Sequence, residues 1–335
     1  MSGMETRKVQ VTGGSTYTVS LPKDWATEND VSAGSVVEFH SEEDVLLLSP
    51  KRGDDRTEGS IDIDGLNGDR LTRAIMTMYV SGFDVIRFEA PRVTASQRRT
   101  IRDAVQGLVG LEVIEETGDH VVLQDLLDSS ELSVHNAITR MRLVSLTMLS
   151  DAVTALLEDD DELARDVIER DDDVDRLWYM VSRVFRTVLR NPAAATEIGS
   201  PRETVFDYQS SARQLERIGD HATKVATIAL NVGTVNESVA SALGELQTAA
   251  VAVPETAMDA LLTDDPDEAV NLATDARADL PDIDERARHV DDAIRDLDEA
   301  ELAQSLGLVV DSLSRTADYG GNIAESALQK AAPSP

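Results

Sequence analysis

The stretch LERIGDHATKVA, residues 215–226, decides how the whole chain reads. Leu215, Ile218, Ala222, Val225 and Ala226 follow the three- and four-residue spacing of a buried helical stripe. Glu216, Arg217, Asp220 and His221 interrupt it, and burying such groups is costly unless they are paired or coordinate something. Positions four apart share a helix face, so Glu216 and Asp220 point the same way and His221 sits about 100° round. The pattern returns as LSRTADYGGNIA at 313–324, an offset of 98, with Leu215/Leu313, Arg217/Arg315, Asp220/Asp318 and Ala226/Ala324 identical. A second echo, LLEDDDELA at 156–164 and LLTDDPDEA at 261–269, has an offset of 105. The difference fits a longer loop in the first copy, NPAAATEIGSPRE, which holds Pro192, Gly199 and Pro201. Periodicity is helical from about residue 130 onward, so the C-terminal half predicts two copies of roughly 95 residues, at 131–230 and 236–330. Each holds three long helices, and side by side they make an all-α bundle.

Upstream the period changes. Residues 4–50 alternate as strands do: VQVTGGSTYTVSLP turns at Gly13-Gly14, PKDWATEND makes a short helix from Pro22, and VVEFHSEEDVLLLSP alternates again. KRGDDRTEG, residues 51–59, is a polar linker. Residues 59–126 alternate strand and helix: IDID, then DRLTRAIMTMYVSG ending on Gly82, DVIRFEA, and TASQRRTIRDAVQGLVG with Thr94 as N-cap. LEVIEE and HVVLQDL flank the turn TGD as a hairpin. The fold class is therefore multidomain: a small β module, a small α/β domain and a duplicated helical bundle.

The 335 residues contain 31 basic and 63 acidic side chains, a formal net charge of −32, and no cysteine. Disulfides, thiolate metal sites and cysteine nucleophiles are thereby excluded. Only 4% of the residues are aromatic, so the cores must be built from Ala, Leu, Val and Ile. No apolar run reaches the roughly 18 residues that would span a bilayer and no signal peptide opens the chain, which predicts a soluble cytoplasmic protein. Five lysines (Lys8, Lys23, Lys51, Lys224, Lys330) amid dispersed acid point to a halophilic source. At molar salt the Debye length is about 3 Å, so the negative total does not by itself exclude a nucleic-acid partner.

Paired carboxylates on antiparallel helices can collect oxygen ligands around Fe, Mn, Mg or Zn. VIERDDDVDRL, at 167–177, offers Glu169 with Asp173, or Asp171 with Asp175, against Glu216 and Asp220. The alternative is a solvated acidic face. The segment at 215–226 resembles the E-R-I-G-D-H-A signature of the PhoU family, whose members are built from tandem three-helix repeats and regulate phosphate uptake. The resemblance implies multinuclear metal binding through E/D-x-x-x-D motifs, which assigns Glu216 with Asp220 and Glu169 with Asp173 as ligands. It also implies the phosphate ABC transporter ATPase or a phosphate-signalling protein as partner. The second copy departs: Ser314 replaces the glutamate and Tyr319 the histidine, while Asp318 stays and Asp275 with Asp279 offers a partner pair. One metal centre, in the first copy, is expected, with Arg217 neutralising surplus charge.

RKVQVTGGSTYTVSLPKDW, GSVVEF and VLLLSP resemble a SpoVT/AbrB domain. In that family two chains interleave hairpins into one barrel, which implies a homodimer and DNA contact through Arg7, Lys8 and Lys23. From Met4 to Pro50, however, three basic residues face eight acidic ones, and phosphate contact needs clustered cations. A module that only dimerises the protein is the competing reading. Residues 69–103 concentrate Arg70, Arg73, Arg87, Arg92, Arg98, Arg99 and Arg102 against four acids. Arg98, Arg99 and Arg102 lie on one helix that could meet DNA, a phosphate ligand or an acidic partner, though such a stripe more often pairs with the acidic bundle. Enzymatic readings fare worse. The Glu-x-x-His pairs of di-iron oxidases are missing, and no Ser-His-Asp spacing, P-loop or dinucleotide glycine motif is present.

Overall fold

A computed structural model describes residues 5–42, 45–51, 56–127 and 133–333. The chain divides near residue 55 into two compact units; part of the expected linker lies outside the described residues.

The N-terminal unit has two antiparallel hairpins. β1 (Gln10–Thr12) pairs with β2 (Thr16–Thr18), with Val11 opposite Tyr17. Gly13 and Gly14 turn between them at φ of 64° and 81°, angles that disfavour a side chain. α1 (Lys23–Glu28) follows Pro22, and β3 (Val37–Glu42) pairs with β4 (Val45–Pro50), with Phe39 opposite Leu48. None of the described residues of this unit is buried: Val11 is 64% exposed, Tyr17 78%, and Phe39 and Leu46 each 59%. A hairpin pair this small cannot enclose its own apolar groups.

The second unit begins with a four-stranded sheet in the order β5-β6-β8-β7. β5 (Glu58–Asp62) runs parallel to β6 (Val85–Glu89), joined by α2 (Asp69–Val80); β6 and β7 (Leu111–Glu116) both run antiparallel to β8 (His120–Asp125). α2 buries Leu71, Ile75 and Tyr79 at four-residue intervals, and Ile86 and Phe88 come from the same face of β6. α3 (Ala95–Gln106) opens with a capping box in which the Thr94 hydroxyl accepts from Gln97 N and the Gln97 side chain accepts from Thr94 N. The Gln97 amide also donates to the Ile63 and Leu66 carbonyls, which explains a buried glutamine. Of the arginine stripe, Arg98 and Arg102 pair within their own domain rather than with the bundle, both binding Glu116 on β7 at 2.8 Å.

The bundle's first copy comprises α4 (Val134–Glu158), α5 (Asp161–Arg190), the short α6 (Pro192–Ile198) and α7 (Arg202–Val232). Its second comprises α8 (Glu237–Leu262), α9 (Pro266–Ala278), α10 (Leu280–Arg295) and α11 (Ala300–Ala331). Asp160 caps α5 and Asp265 caps α9, the same 105-residue offset seen in the sequence. The expected three helices per copy is corrected in the second, where the middle rod breaks at Asp279 ahead of Pro281, which lacks the N–H a continuing helix needs. α7 and α11 pack together and join the copies around one continuous aliphatic core. At the α8–α11 crossing Gly320 lies so close to Pro254 that a Cβ there would sit 2.6 Å from the proline N.

The α/β domain docks on the bundle through Arg183 of α5, which is 5% exposed. Its guanidinium donates to the carbonyls of Tyr79 and Phe83, each at 2.9 Å, and to Asp84 Oδ1 at 2.9 Å and Asp125 Oδ2 at 2.8 Å.

Candidate metal centre

α5 and α7 lie side by side because each turns a small-residue or aliphatic stripe toward the other. Gly219 of α7 sits against Val174 and Asp171, and a Cβ at that position would lie 3.4 Å from Val174 Cγ1 and 3.5 Å from Asp171 Oδ1. The core stripe of α5 includes Ala164, Val167, Val174 and Val181. Asp171, four beyond Val167 and three before Val174, is therefore carried to the α7 face, and Asp175 with it.

The helical phase places the two assigned pairs differently. Glu169 and Asp173 are exposed, whereas Asp171 and Asp175 are half-buried and electrostatically coupled to Asp220. Glu216 and Asp220 do share the face toward α5, with Glu216 half-buried and Asp220 at the exposed rim. Four carboxylates from two helices thus gather in one place.

Their environment disfavours charge. Burial, then Asp220 and Asp175, push the Glu216 carboxyl up to about 7 against the pull of Arg213. Burial, then Asp171 and Asp220, raise Asp175 to about 6. Asp171 is raised by burial and by Asp220, and the Thr223 hydroxyl moderates it. Glu216 Oε1 accepts from Arg213 at 2.8 Å, while its Oε2 is buried with no partner. An orphaned carboxylate oxygen among mutually repelling carboxylates suits a hard or borderline cation. Among the described residues, no three acidic or histidine side chains converge as a ready ligand cage.

Arg217 makes no ion pair with this group, although its charge helps to hold Glu216 down. Arg213 forms the ion pair with Glu216 and also lies over Trp178 at 5.2 Å, whereas Arg217 sits over the Tyr319 ring at 5.6 Å. His221 belongs to a different surface. Its Nε2 lies 3.3 Å from the hydroxyl of Tyr319, its counterpart 98 residues on, so equivalent positions of the two copies meet at the α7–α11 seam. Burial and Lys224 hold His221 below its usual range. Sequence reasoning missed Arg213 and Arg183. The first lies one helical turn before Glu216, a spacing that was legible; the second is committed by tertiary contact alone.

In the second copy Ala276 and Leu280 take the places of Asp171 and Asp175 under the 105-residue offset, and Leu280 packs on Gly321. Asp275, Asp279 and Asp318 are exposed. The equivalent face is apolar. In the N-terminal unit Arg7, Lys8 and Lys23 are all exposed, and Arg7 is paired with Glu5. No helix among the described residues is long and apolar enough to cross a membrane.

Residues 138–229 match the PhoU domain family, and residues 10–56 match the MazE antidote-toxin recognition family of bacterial antitoxins. Two curated relatives are phosphate-specific transport system accessory protein PhoU homologs. That of Pseudomonas putida is 34% identical over 91 residues, 27% of this chain and 34% of the relative; the match thus spans about a third of that protein. That of Pseudomonas aeruginosa is 28% identical over 189 residues, 53% of this chain and 73% of the relative. A crystal structure of PhoU from Pseudomonas aeruginosa superposes with a TM-score of 0.51 at 23% identity, covering 58% of this chain and 93% of that one, a likeness of fold. Residues 138–229 are therefore similar to a PhoU domain, and residues 10–56 to a MazE-type antitoxin segment.

Proposed function

We propose that this protein regulates phosphate uptake, with a cation-holding helical bundle coupled to an N-terminal dimer module that binds DNA. The observation that carries the reading is the gathering of Asp171, Asp175, Glu216 and Asp220 on the α5–α7 face, inside the residues that match the PhoU domain. A bound cation (Fe, Mn, Mg or Zn) supplies the positive charge that lets these carboxylates stay ionised side by side. Glu216 contributes its free Oε2, Asp171 and Asp175 face it from α5, and Asp220 guards the exposed rim. The relatives' names support a role at the phosphate transport system, so the partner is the transporter ATPase or a phosphate-signalling protein, reached in the cytoplasm. This role is regulatory and involves no catalysis. Elemental analysis and Mn²⁺ titration test the centre: Asp175→Asn and Glu216→Gln should lose the ion, and Glu169→Gln with Asp173→Asn should keep it. The reverse pattern would sink the assignment.

The exposed apolar side chains of β1–β4 support homodimerisation, since a second copy would cover them. A second reading keeps the dimer but drops DNA: an adaptor that acts on the transporter by protein contact. It is favoured by the Arg7–Glu5 pair and by three basic against eight acidic residues from Met4 to Pro50. A gel-shift assay at high salt, with DNA from upstream of phosphate-transport genes, separates the two. The regulator reading expects binding that Arg7→Ala/Lys8→Ala abolishes; equal binding by both proteins, or none by the wild type, leaves the adaptor.

A further inference from the structure

Asp171, Asp175, Tyr179 and Arg183 succeed one another at four-residue intervals, so they form one stripe along α5. The first two belong to the carboxylate centre. The last two belong to the α/β domain. Tyr179 packs against that domain's core, which contains Tyr79, Ile86 and Phe88. Its phenol is raised by burial first and then by Asp175 and Glu216, so it also lies within electrostatic reach of the centre.

Arg183 is the firmer link. It grips Asp84, just before β6, and Asp125, at the end of β8, and its guanidinium lies 5.0 Å from the Tyr79 ring centroid. β6 and β8 are the two central strands of the sheet, and the Asp125 amide donates to the Asp84 carbonyl at 2.8 Å. One side chain therefore clamps both strands at the same end. Between Asp175 and Arg183 α5 is unbroken, two turns or about 12 Å of rigid rod. The copy without the carboxylates has its corresponding rod broken at Asp279. An intact rod occurs where there is a centre at one end and a docked domain at the other.

We infer that the α/β domain reads the occupancy of the carboxylate centre, which reaches it through Tyr179 and the Arg183–Asp84–Asp125 clamp. An ion shared by α5 and α7 relieves the repulsion between them and draws Asp175 toward Glu216. The rod carries that change to Arg183, where the clamp tightens on β6 and β8. This rests on the cation reading proposed above.

The test uses the full chain with Mn²⁺ alone as probe, following heat of binding by calorimetry and amide hydrogen exchange by mass spectrometry. In the wild type, Mn²⁺ should slow exchange across residues 84–125 by about 5-fold or more, the lower end of usual coupling strengths. Asp84→Asn removes the charge and keeps an acceptor for Arg183. It should shrink the slowing and weaken Mn²⁺ affinity by the same factor, because coupling between sites is reciprocal. A merely structural aspartate would not move both together. Should Asp84→Asn fold poorly, Tyr179→Phe carries the same two readouts. Wild-type Mn²⁺ binding with unchanged exchange in 84–125 overturns the inference and leaves the centre standing. So does a variant with wild-type affinity and wild-type slowing. No heat with Mn²⁺ overturns the centre and this inference together.

Discussion

Replacing Glu216 by glutamine should make the cation-free protein more stable at neutral and alkaline pH, and should do so because the residue is a poor structural choice. Its carboxyl is raised from 4.5 to about 7, chiefly by burial and then by Asp220. The folded state therefore prefers the protonated form. The stability that form contributes is complete below the unfolded value near 4.5 and is lost as pH rises through about 7. At about 1.4 kcal/mol per pH unit, the folded chain carries up to about 3 kcal/mol of penalty above that range. Screening at a site open on its Asp220 side lowers this to about 1–3 kcal/mol. Glutamine keeps the shape and an acceptor for Arg213 while removing the charge. Urea unfolding in chelator, at fixed high salt, should show the variant ahead by that amount at about pH 8, with the gap shrinking through about pH 7 to 5 and closing at about pH 4. Mn²⁺ should invert the order by stabilising the wild type alone. A variant less stable than the wild type at the higher pH, or a gap indifferent to pH, would refute the account and make Glu216 an ordinary structural partner of Arg213.

Two glycines of the bundle should respond in opposite ways. Gly320→Ala drives a Cβ to 2.6 Å from Pro254 N and 2.9 Å from its Cα, both backbone atoms, so it should cost about 1–3 kcal/mol in thermal unfolding. Gly219→Ala meets only Val174 at 3.4 Å and Asp171 at 3.5 Å, so helix propensity should leave it neutral or up to about 1 kcal/mol more stable, while crowding at Asp171 weakens Mn²⁺ binding in calorimetry. Thr94→Ala opens the α3 capping box and should lower stability by about 1 kcal/mol in urea. Phe39→Ser with Leu46→Ser removes two exposed apolar side chains of the β3–β4 hairpin, and light scattering should then find more monomer than in the wild type. An unchanged mass would remove that face from the dimer contact.

Much of the architecture follows from local periodicity. Alternation in DVIRFEA, the TGD hairpin between LEVIEE and HVVLQDL, the Thr94 cap and the Gly13-Gly14 turn all mark elements that formed where their residues favour them. The order of the four strands was not legible, because β8 slots between β6 and β7 through pairing that no local pattern encodes. The break between α9 and α10 was signalled by Pro281 but hidden by helical spacing on both sides.

The candidate centre divides along the same line. Helical spacing alone puts Glu216 and Asp220 on one face, since four residues make about one turn whatever surrounds them. The sequence likewise shows that the first copy holds Glu216 where the second holds Ser314, and that both carry an arginine at the third position of the motif. Among five acids in the seven residues 169–175, only packing decided that Asp171 and Asp175 turn inward while Glu169 and Asp173 meet solvent, because the face a helix buries depends on what it packs against. Packing also set Arg217 and His221 against Tyr319 and drew Arg183 into the α/β domain. These contacts join residues about 60 to 100 positions apart, and only chain folding sets such distances.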